Sequence, residues 1–196
     1  AAASTSTQPS DENTEAQSES AVWIQVKRKR KVQKARMELP VCAEEQRVME
    51  AVMENNVVIV VGETGSGKTT QIPQFLFEAG YGQRRCQVSQ GAGPGQTRHM
   101  MIGCTQPRRV AAYSMAKRVA YELNVPFGDV VGYQVRHESN ITRRTSIKFM
   151  TDGVLLRELE HDLLLPNYSA ILLDEAHERT LNTDLLLGLL PRVVKL

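Results

Sequence analysis

An apolar β-branched run that leads directly into a glycine-rich turn sharply limits the folds open to this chain. Residues 57–61 read VVIVV, and residues 62–70 read GETGSGKTT. Valine and isoleucine favour extended strands, and an unbroken run of them is typical of a strand covered on both faces. A helical pattern follows from about Gly67 to Ala79. The sequence therefore predicts a strand, a tight turn and a helix in succession.

The turn itself fits the pattern G-x-x-x-x-G-K-[ST], in which glycines let several backbone N–H groups point at one anion. The positive end of the following helix adds to the attraction for phosphate. In this pattern Lys68 reaches the β- and γ-phosphates of a nucleotide, and the Thr69 hydroxyl ligates Mg²⁺. The alternative is a glycine-rich turn with an exposed lysine, but the strand before it and the helix after it favour nucleotide binding. The predicted nucleotide-binding residues are Gly62, Glu63, Thr64, Gly65, Ser66, Gly67, Lys68, Thr69 and Thr70.

Strand and helix patterns alternate along the rest of the chain, which predicts an α/β fold with a mostly parallel sheet covered by helices on both faces. Ligands of such sheets bind beyond the carboxyl ends of the strands. Residues 82–99 lack periodicity, and we expect a long surface loop there. The further strands are predicted at 101–105, 130–135, 146–151 and 170–173, and the helices at 43–54, from near Pro107, at 152–161 and from about Asn182.

Composition separates residues 1–37 from a predicted domain at 38–196. Residues 1–20 are polar with little to bury, which predicts disorder. Residues 27–36 read KRKRKVQKAR, with seven basic side chains in ten. A solvated surface, a nuclear import signal and an arm on nucleic-acid phosphates all remain open for this run. No apolar run is long enough to span a membrane, and the three scattered cysteines form no C-x-x-C pair.

A second chemical pattern follows the predicted strand at 170–173. Asp174 and Glu175 come directly after it, and His177 lies two residues further on. Hydrolysis of a bound nucleotide needs an acid that holds Mg²⁺ at the end of another strand and a group that orients water. We expect Asp174 to hold Mg²⁺ and Glu175 to polarise the attacking water. An acidic helix cap is the alternative, and it weakens once the phosphate-binding turn is present in the same chain.

The chain resembles the DEAH-box RNA helicases of superfamily 2 through GETGSGKTT, DEAHER at 174–179, TQPRRVAA at 105–112 and TDGVLLRE at 151–158. This resemblance implies a RecA-like nucleotide-binding domain over residues 38–196. It also implies that the rest of that domain and a second RecA-like domain lie outside this sequence. Since the second domain supplies the arginine fingers of the family, the fragment alone is expected to be weakly active.

The resemblance also assigns roles to individual residues. It implies that Arg118 stacks on adenine, which would permit broad NTP use, and that His177 relays the state of the phosphates. Because His137 stands where the family has an aromatic residue, a contact between His137 and RNA is doubtful. The RNA-binding residues that the resemblance implies are Thr105, Arg108, Arg109, Arg136 and Thr151; the catalytic ones are Glu175, Lys68, Asp174 and His177; and the Mg²⁺ ligands are Thr69, Asp174 and Glu175.

The implied activity is ATP hydrolysis at the γ-phosphate coupled to RNA unwinding or remodelling. The segments LPVCAEEQRVMEAV and IKFMTDGVLLRELEHDLLL resemble the branch of the family that acts in assembly of the small ribosomal subunit. That likeness implies pre-ribosomal RNA or U3 small nucleolar RNA as substrate, protein activators or assembly factors as partners, and a nuclear, nucleolar location without a membrane. A splicing-type DEAH helicase, a DNA translocase and a non-catalytic RNA clamp remain alternatives.

Overall fold

The computed structural model describes residues 23–83, 85–87 and 97–195. Within these ranges, no helix is long and apolar enough to cross a membrane. The helices are α1 (Arg30–Met37), α2 (Pro40–Ala43), α3 (Glu45–Glu54), α4 (Lys68–Glu78), α5 (Arg109–Leu123), α6 (Asp152–His161) and α7 (Leu181–Val193). The strands are β1 (Arg85–Gln87), β2 (Thr97–His99), β3 (Met101–Gln106), β4 (Val131–Val135), β5 (Glu138–Ser139), β6 (Ile147–Thr151) and β7 (Tyr168–Leu173). Two 3-10 turns, Tyr81–Gln83 and Ala176–Glu178, follow α4 and β7 respectively.

A five-stranded sheet in the order β5-β4-β6-β3-β7 forms the centre of the fold. β4, β6, β3 and β7 pair in parallel, whereas β5 pairs antiparallel with β4 at one edge. The parallel strands cover the segments predicted at 101–105, 130–135, 146–151 and 170–173, and their ends differ from the prediction by no more than two residues. The prediction of an α/β fold with a mostly parallel sheet is confirmed.

The two faces of the sheet build two separate cores. Neighbouring residues of a strand point to opposite faces. Phe149 of β6 accordingly joins a cluster with side chains of α4 and α5, while Met150 joins a second cluster with side chains of α6 and α7. Both residues are fully buried. Helices therefore cover both faces, as the alternating pattern predicts.

The apolar run at 57–61 does not form the predicted buried strand. It pairs with none of the described strands, and Val57, Ile59 and Val61 are 54%, 85% and 90% exposed. A buried strand needs hydrogen-bonding partners beside it and helices over its faces. β7 is the edge strand of the described sheet, but the run does not pair with it, although Val60 packs against the core. The local pattern alone was insufficient to make a strand.

The folded region extends further towards the N-terminus than the boundary predicted between residues 37 and 38. The Ile24 N–H donates to the Glu78 carbonyl oxygen at 2.8 Å. α1 buries Val32 and Arg36, and Arg36 donates to Glu78 at 2.9 Å. Arg28 also donates to Glu78, at 2.5 Å. Two members of the basic run are thus internal ion-pair partners of α4 rather than solvated charges.

Residues 82–99 contain more regular structure than predicted. β1 and β2 pair antiparallel, with Arg85 opposite His99 and Gln87 opposite Thr97. Residues 84 and 88–96, which include the GAGPG stretch, lie outside the described residues. The prediction of an irregular loop is therefore wrong at both ends of the segment.

The helices that carry site residues begin close to their predicted positions. α4 begins at Lys68, α6 spans Asp152–His161 as predicted, and α7 begins at Leu181. α5 begins at Arg109, two residues after Pro107, because Arg108 is an extended N-cap residue. The side chain of Arg108 therefore projects from the turn before the helix.

Candidate nucleotide site and RNA-facing edge

The glycine-rich turn adopts a backbone that requires glycine at two positions. Gly65 and Gly67 have φ values of +84° and +94°, in the left-handed region that residues with a Cβ rarely adopt. The Ser66 hydroxyl donates to the Glu63 carbonyl oxygen at 2.8 Å, which closes the turn. The predicted phosphate-binding turn therefore forms although the strand predicted before it does not.

Lys68 folds back across the turn. Its Nζ donates to the carbonyl oxygens of Gly62 at 2.6 Å and Glu63 at 2.8 Å, and lies 3.3 Å from Ser66 Oγ. An ammonium group bonds more strongly to an anionic oxygen than to a neutral carbonyl. The turn thus holds an ammonium group that could bind an incoming phosphate.

Asp174 is brought to the glycine-rich turn by two hydrogen bonds. Thr69 Oγ1 donates to Asp174 Oδ2 at 2.5 Å, across 105 residues of sequence. Gln106 Nε2 donates to the same oxygen at 2.6 Å. These bonds join the first turn of α4, the end of β3 and the residue after β7, so the two predicted halves of the site do meet.

The atoms at this junction suit a hard cation such as Mg²⁺. Hydroxyl and carboxylate oxygens are its preferred ligands, and Mg²⁺ is usually held by one or two carboxylates together with substrate phosphates. Across the described ranges, no group of three or more His, Cys, Asp or Glu side chains could hold a metal by itself. Thr69 and Asp174 supply one hydroxyl and one carboxylate that fit a cation shared with nucleotide phosphates.

Glu175 and His177 lie on a strained turn beside Asp174. Glu175 has φ +53° and Arg179 has φ +52°, a conformation that costs roughly 1–2 kcal/mol for each residue with a Cβ. His177 Nε2 is 3.3 Å from Glu175 Oε2, and the His177 side chain is 75% exposed. The turn therefore places Glu175 directly after Asp174 and pairs its carboxylate with His177.

Arg118 belongs to a hydrogen-bond network that sequence reasoning missed. Glu122, one helical turn further along α5, accepts from Arg118 Nε at 2.5 Å. It also accepts from Gln71 Nε2 at 2.8 Å and Gln74 Nε2 at 2.7 Å, both on α4. Burial acts to raise the pKa of Glu122, but these hydrogen bonds outweigh it and lower the pKa below its ordinary value. The i, i+4 spacing of Arg118 and Glu122 was the available signal.

The predicted RNA-binding residues separate into accessible and buried groups. Arg108, Arg109 and Arg136 are exposed, and Thr151 is half-buried at the N-cap of α6. Thr105 is 0% exposed, because β3 lies between β6 and β7 with helices over both faces. The Thr105 side chain therefore does not reach the surface in this structure, and its contact with RNA stays a prediction.

The carboxyl ends of the parallel strands form one edge of the sheet, and this edge carries both the nucleotide-site residues and the predicted RNA-binding residues. In the parallel register Gln106 pairs with Thr151, and Thr105 pairs with Leu173, the residue before Asp174. Arg108 Nη2 lies 3.4 Å from Glu178 Oε1. This contact links the turn after β3 to the turn after β7. Gln106 was missed as a site residue, although it stands at a strand end within TQPRR.

Comparison with known proteins shows which family the chain resembles. Residues 43–184 match the family model described as DEAD/DEAH box helicase. The chain is 57% identical over 175 residues to the probable ATP-dependent RNA helicase kurz of Drosophila melanogaster. The aligned region covers 89% of this chain and 13% of that protein.

Two further relatives give similar figures. Identity to the probable ATP-dependent RNA helicase DHR1 of Saccharomyces cerevisiae is 54% over 176 residues, or 90% of this chain and 13% of that protein. Identity to the probable ATP-dependent RNA helicase DHX37 of Homo sapiens is 52% over 176 residues, or 90% of this chain and 14% of that protein. The chain thus spans only 13–14% of the length of these relatives.

Proposed function

The chain belongs to the DEAD/DEAH box helicase family, and from this we propose that it is the ATP-binding domain of an ATP-dependent RNA helicase. The whole protein then couples hydrolysis of the γ-phosphate to RNA unwinding or remodelling. The 2.5 Å bond between Thr69 and Asp174 is the main support. It unites a phosphate-binding turn with an acid from a distant strand, which is the arrangement that nucleotide hydrolysis needs.

Nucleotide binding in this proposal uses groups already held close together. Lys68 exchanges its bonds to the carbonyl oxygens of Gly62 and Glu63 for bonds to the β- and γ-phosphates. Thr69 and Asp174 would hold Mg²⁺, and the bound ion would neutralise charge on the phosphate oxygens. Arg118, on α5, stacks on the base, and because stacking distinguishes bases poorly we expect broad NTP use.

Hydrolysis depends on Glu175, which orients the attacking water. Little covalent chemistry falls to the protein, so the rate gain comes from positioning and from charge stabilisation. His177 contacts Glu175 at 3.3 Å, and this contact supports its role as a relay between the hydrolytic group and the surface. Weak activity is expected when the domain is tested without the remainder of the protein.

RNA lies along the sheet edge that carries Arg108, Arg109, Arg136 and Thr151. The arginines are exposed, and Arg109 lies in the first turn of α5, where free backbone N–H groups also favour phosphate. Contacts to phosphate carry no sequence information, which suits an enzyme that moves along RNA.

The cellular role proposed for the whole protein is assembly of the small ribosomal subunit. Pre-ribosomal RNA or U3 small nucleolar RNA is the substrate, assembly factors or an activator are partners, and the nucleolus is the location. The support is the resemblance of LPVCAEEQRVMEAV and IKFMTDGVLLRELEHDLLL to that branch of the family. Crosslinking of the full-length protein to RNA in cells tests this role, and recovery of spliceosomal RNA in place of ribosomal precursors would contradict it.

The enzymatic proposal is tested by Glu175→Gln in the full-length protein. The amide keeps the size of the side chain but loses the charge that polarises water. We expect RNA-stimulated ATP hydrolysis to fall at least about 100-fold, the lower end of the range for loss of a general base, while binding of a fluorescent ATP analogue stays unchanged.

Glu160→Gln is the matched control, because Glu160 is an exposed acid on α6 and should leave both measurements unchanged. Retained hydrolysis in Glu175→Gln would remove the role of Glu175. A wild-type protein that binds RNA but shows no RNA-stimulated hydrolysis would instead favour a non-catalytic clamp.

A further inference from the structure

Gln106 has an unusual position among the polar residues of the sheet. It is the last residue of β3 and only 3% exposed. Its Nε2 donates to Asp174 Oδ2 at 2.6 Å, and Thr69 donates to the same oxygen at 2.5 Å. Asp174 Oδ1 takes part in neither bond. The two donors therefore fix the rotation of the carboxylate and determine which oxygen can turn towards a cation.

A buried amide needs a hydrogen-bond partner in any fold, so the contact alone could be structural. However, the partner of Gln106 is the carboxylate that is predicted to bind Mg²⁺, which indicates a further role. A side chain that donates to a metal-binding carboxylate orients that ligand, and loss of such a donor typically weakens metal binding. An apolar side chain of equal length would fill the same space at the end of β3 without touching the charge on Asp174.

The backbone on either side of Gln106 joins this carboxylate to the surface that faces RNA. Pro107 follows and restricts the backbone, because its ring fixes φ. Arg108 and Arg109 come next, and Arg108 lies 3.4 Å from Glu178. Two links thus connect the turn after β3 with the turn after β7: Gln106 with Asp174, and Arg108 with Glu178. These two links give a short connection along which a shift of one turn would reach the other.

We propose that Gln106 is a positioning residue that holds Asp174 in the orientation needed for Mg²⁺ and couples this orientation to the arginines on the neighbouring turn. The inference rests on the proposed function, since it takes Asp174 as the Mg²⁺-binding acid. It assigns Gln106 no contact with nucleotide or RNA.

The test is Gln106→Met in the full-length protein, which keeps the length of the side chain but removes its donor. Binding of a fluorescent ADP analogue is titrated with Mg²⁺. We expect the Mg²⁺ concentration for half-maximal binding to rise about 10-fold, the lower end of the usual loss for an outer-shell partner. Binding in the presence of EDTA should stay unchanged, because the phosphate-binding turn is intact.

Gln134→Met is the matched control. Gln134 lies near the end of β4, and β6 separates that strand from β3, so the same substitution there should leave the Mg²⁺ titration unchanged. An unchanged titration in Gln106→Met would overturn the proposal. An equal loss of ADP binding with and without Mg²⁺ would also overturn it, because that loss indicates general damage to the site.

A second variant distinguishes loss of the hydrogen-bond donor from a folding defect. Gln106→His retains a ring N–H donor at a similar reach, and it should restore the Mg²⁺ titration towards that of the wild type. A folded Gln106→His protein that behaves like Gln106→Met would contradict a role for the donor.

The coupling is measured by the effect of Mg²⁺-ADP on RNA affinity. This effect should shrink in Gln106→Met while RNA affinity without nucleotide is unchanged, and an undiminished effect would remove the coupling part of the proposal. ADP binding involves neither hydrolysis nor RNA. A wild-type protein without RNA-stimulated ATPase would therefore refute the proposed function, while the Mg²⁺ titrations still decide the role of Gln106.

Discussion

Gly67 makes the contact between the glycine-rich turn and α2 possible. A Cβ added at this residue would lie 3.0 Å from Leu39 Cδ1 and 3.2 Å from Val41 Cγ1. The Val41 N–H also donates to the Ser66 carbonyl oxygen at 3.1 Å. Because φ is +94° as well, a side chain at Gly67 would both strain the backbone and push α2 away from the turn.

Gly67→Ala should lower the free energy of unfolding by roughly 1–2 kcal/mol, the cost of a left-handed residue with a Cβ, and should weaken nucleotide binding. Gly188→Ala is the control, since nothing lies within 4 Å of a Cβ added there in α7. That change should raise the free energy of unfolding by about 0.5–1 kcal/mol, because alanine favours helix interiors. Urea denaturation measures both, and equal effects would contradict the role of the Gly67 backbone.

At the scale of residues, the sequence predicted groups that belong to a local pattern and missed those defined by packing. Thr69 and Asp174 meet through a hydrogen bond, and Lys68 folds back across the glycine-rich turn. Thr105 was assigned to RNA but is buried, whereas its neighbour Gln106 was overlooked and contacts Asp174. The residue types of TQPRR do not indicate which side chain reaches the surface, because that depends on the strands beside β3.

At the scale of elements, α1 and α4 are joined by a buried charge cluster. Arg28 and Arg36 both donate to Glu78, and Arg36 Nε also donates to Gln71 Oε1 at 2.9 Å. The two arginine side chains are 4% and 7% exposed. α4 starts at the glycine-rich turn, so the N-terminal segment braces the helix that supports the nucleotide site.

Glu78→Ala should lower the free energy of unfolding by about 3–5 kcal/mol, because it removes the carboxylate that two buried arginines share and leaves only Glu45, 3.7 Å from Arg36. Glu160→Ala, at an exposed position on α6, should change it by less than about 0.5 kcal/mol. Chemical denaturation provides the comparison. A small effect of Glu78→Ala would indicate that water reaches the arginines and that α1 is only loosely attached.

The same elements explain why some sequence predictions failed. A sequence pattern relates each charge only to its neighbours in the chain, so residues 27–36 were compatible with a solvated surface. The partner of Arg28 lies 50 residues away and therefore left no local signal. Residues 57–61 have the composition of a buried strand, but strand formation depends on pairing that composition does not encode. α6 and β7 were predicted well because their apolar spacing and their ends are local.

At the scale of the whole molecule, exposed cations gather at the sheet edge that also holds the nucleotide site. The net charge is only +2, so any attraction for RNA comes from how the charges are placed. Arg108 and Arg109 stand on one turn of this edge and Arg136 on another. RNA bound here would lie within reach of the turns that hold Asp174 and Glu175.

Arg109→Gln in the full-length protein should reduce the salt dependence of RNA binding. Each phosphate contact contributes about 0.7 to the slope of log K against log salt for a single strand, so the slope should become shallower by about that amount. Arg47→Gln is the control, because Arg47 is 86% exposed on α3, which does not contribute to this edge. An unchanged slope in Arg109→Gln would show that Arg109 does not contact phosphate.

The exposed run at 57–61 also bears on how this region behaves in solution. Val57, Ile59 and Val61 present β-branched side chains to solvent, and the described strands leave the backbone of the run without a sheet partner. Exposed β-branched segments whose backbone groups are unpaired are templates for pairing between separate chains. The run is therefore a candidate site of self-association directly beside the glycine-rich turn.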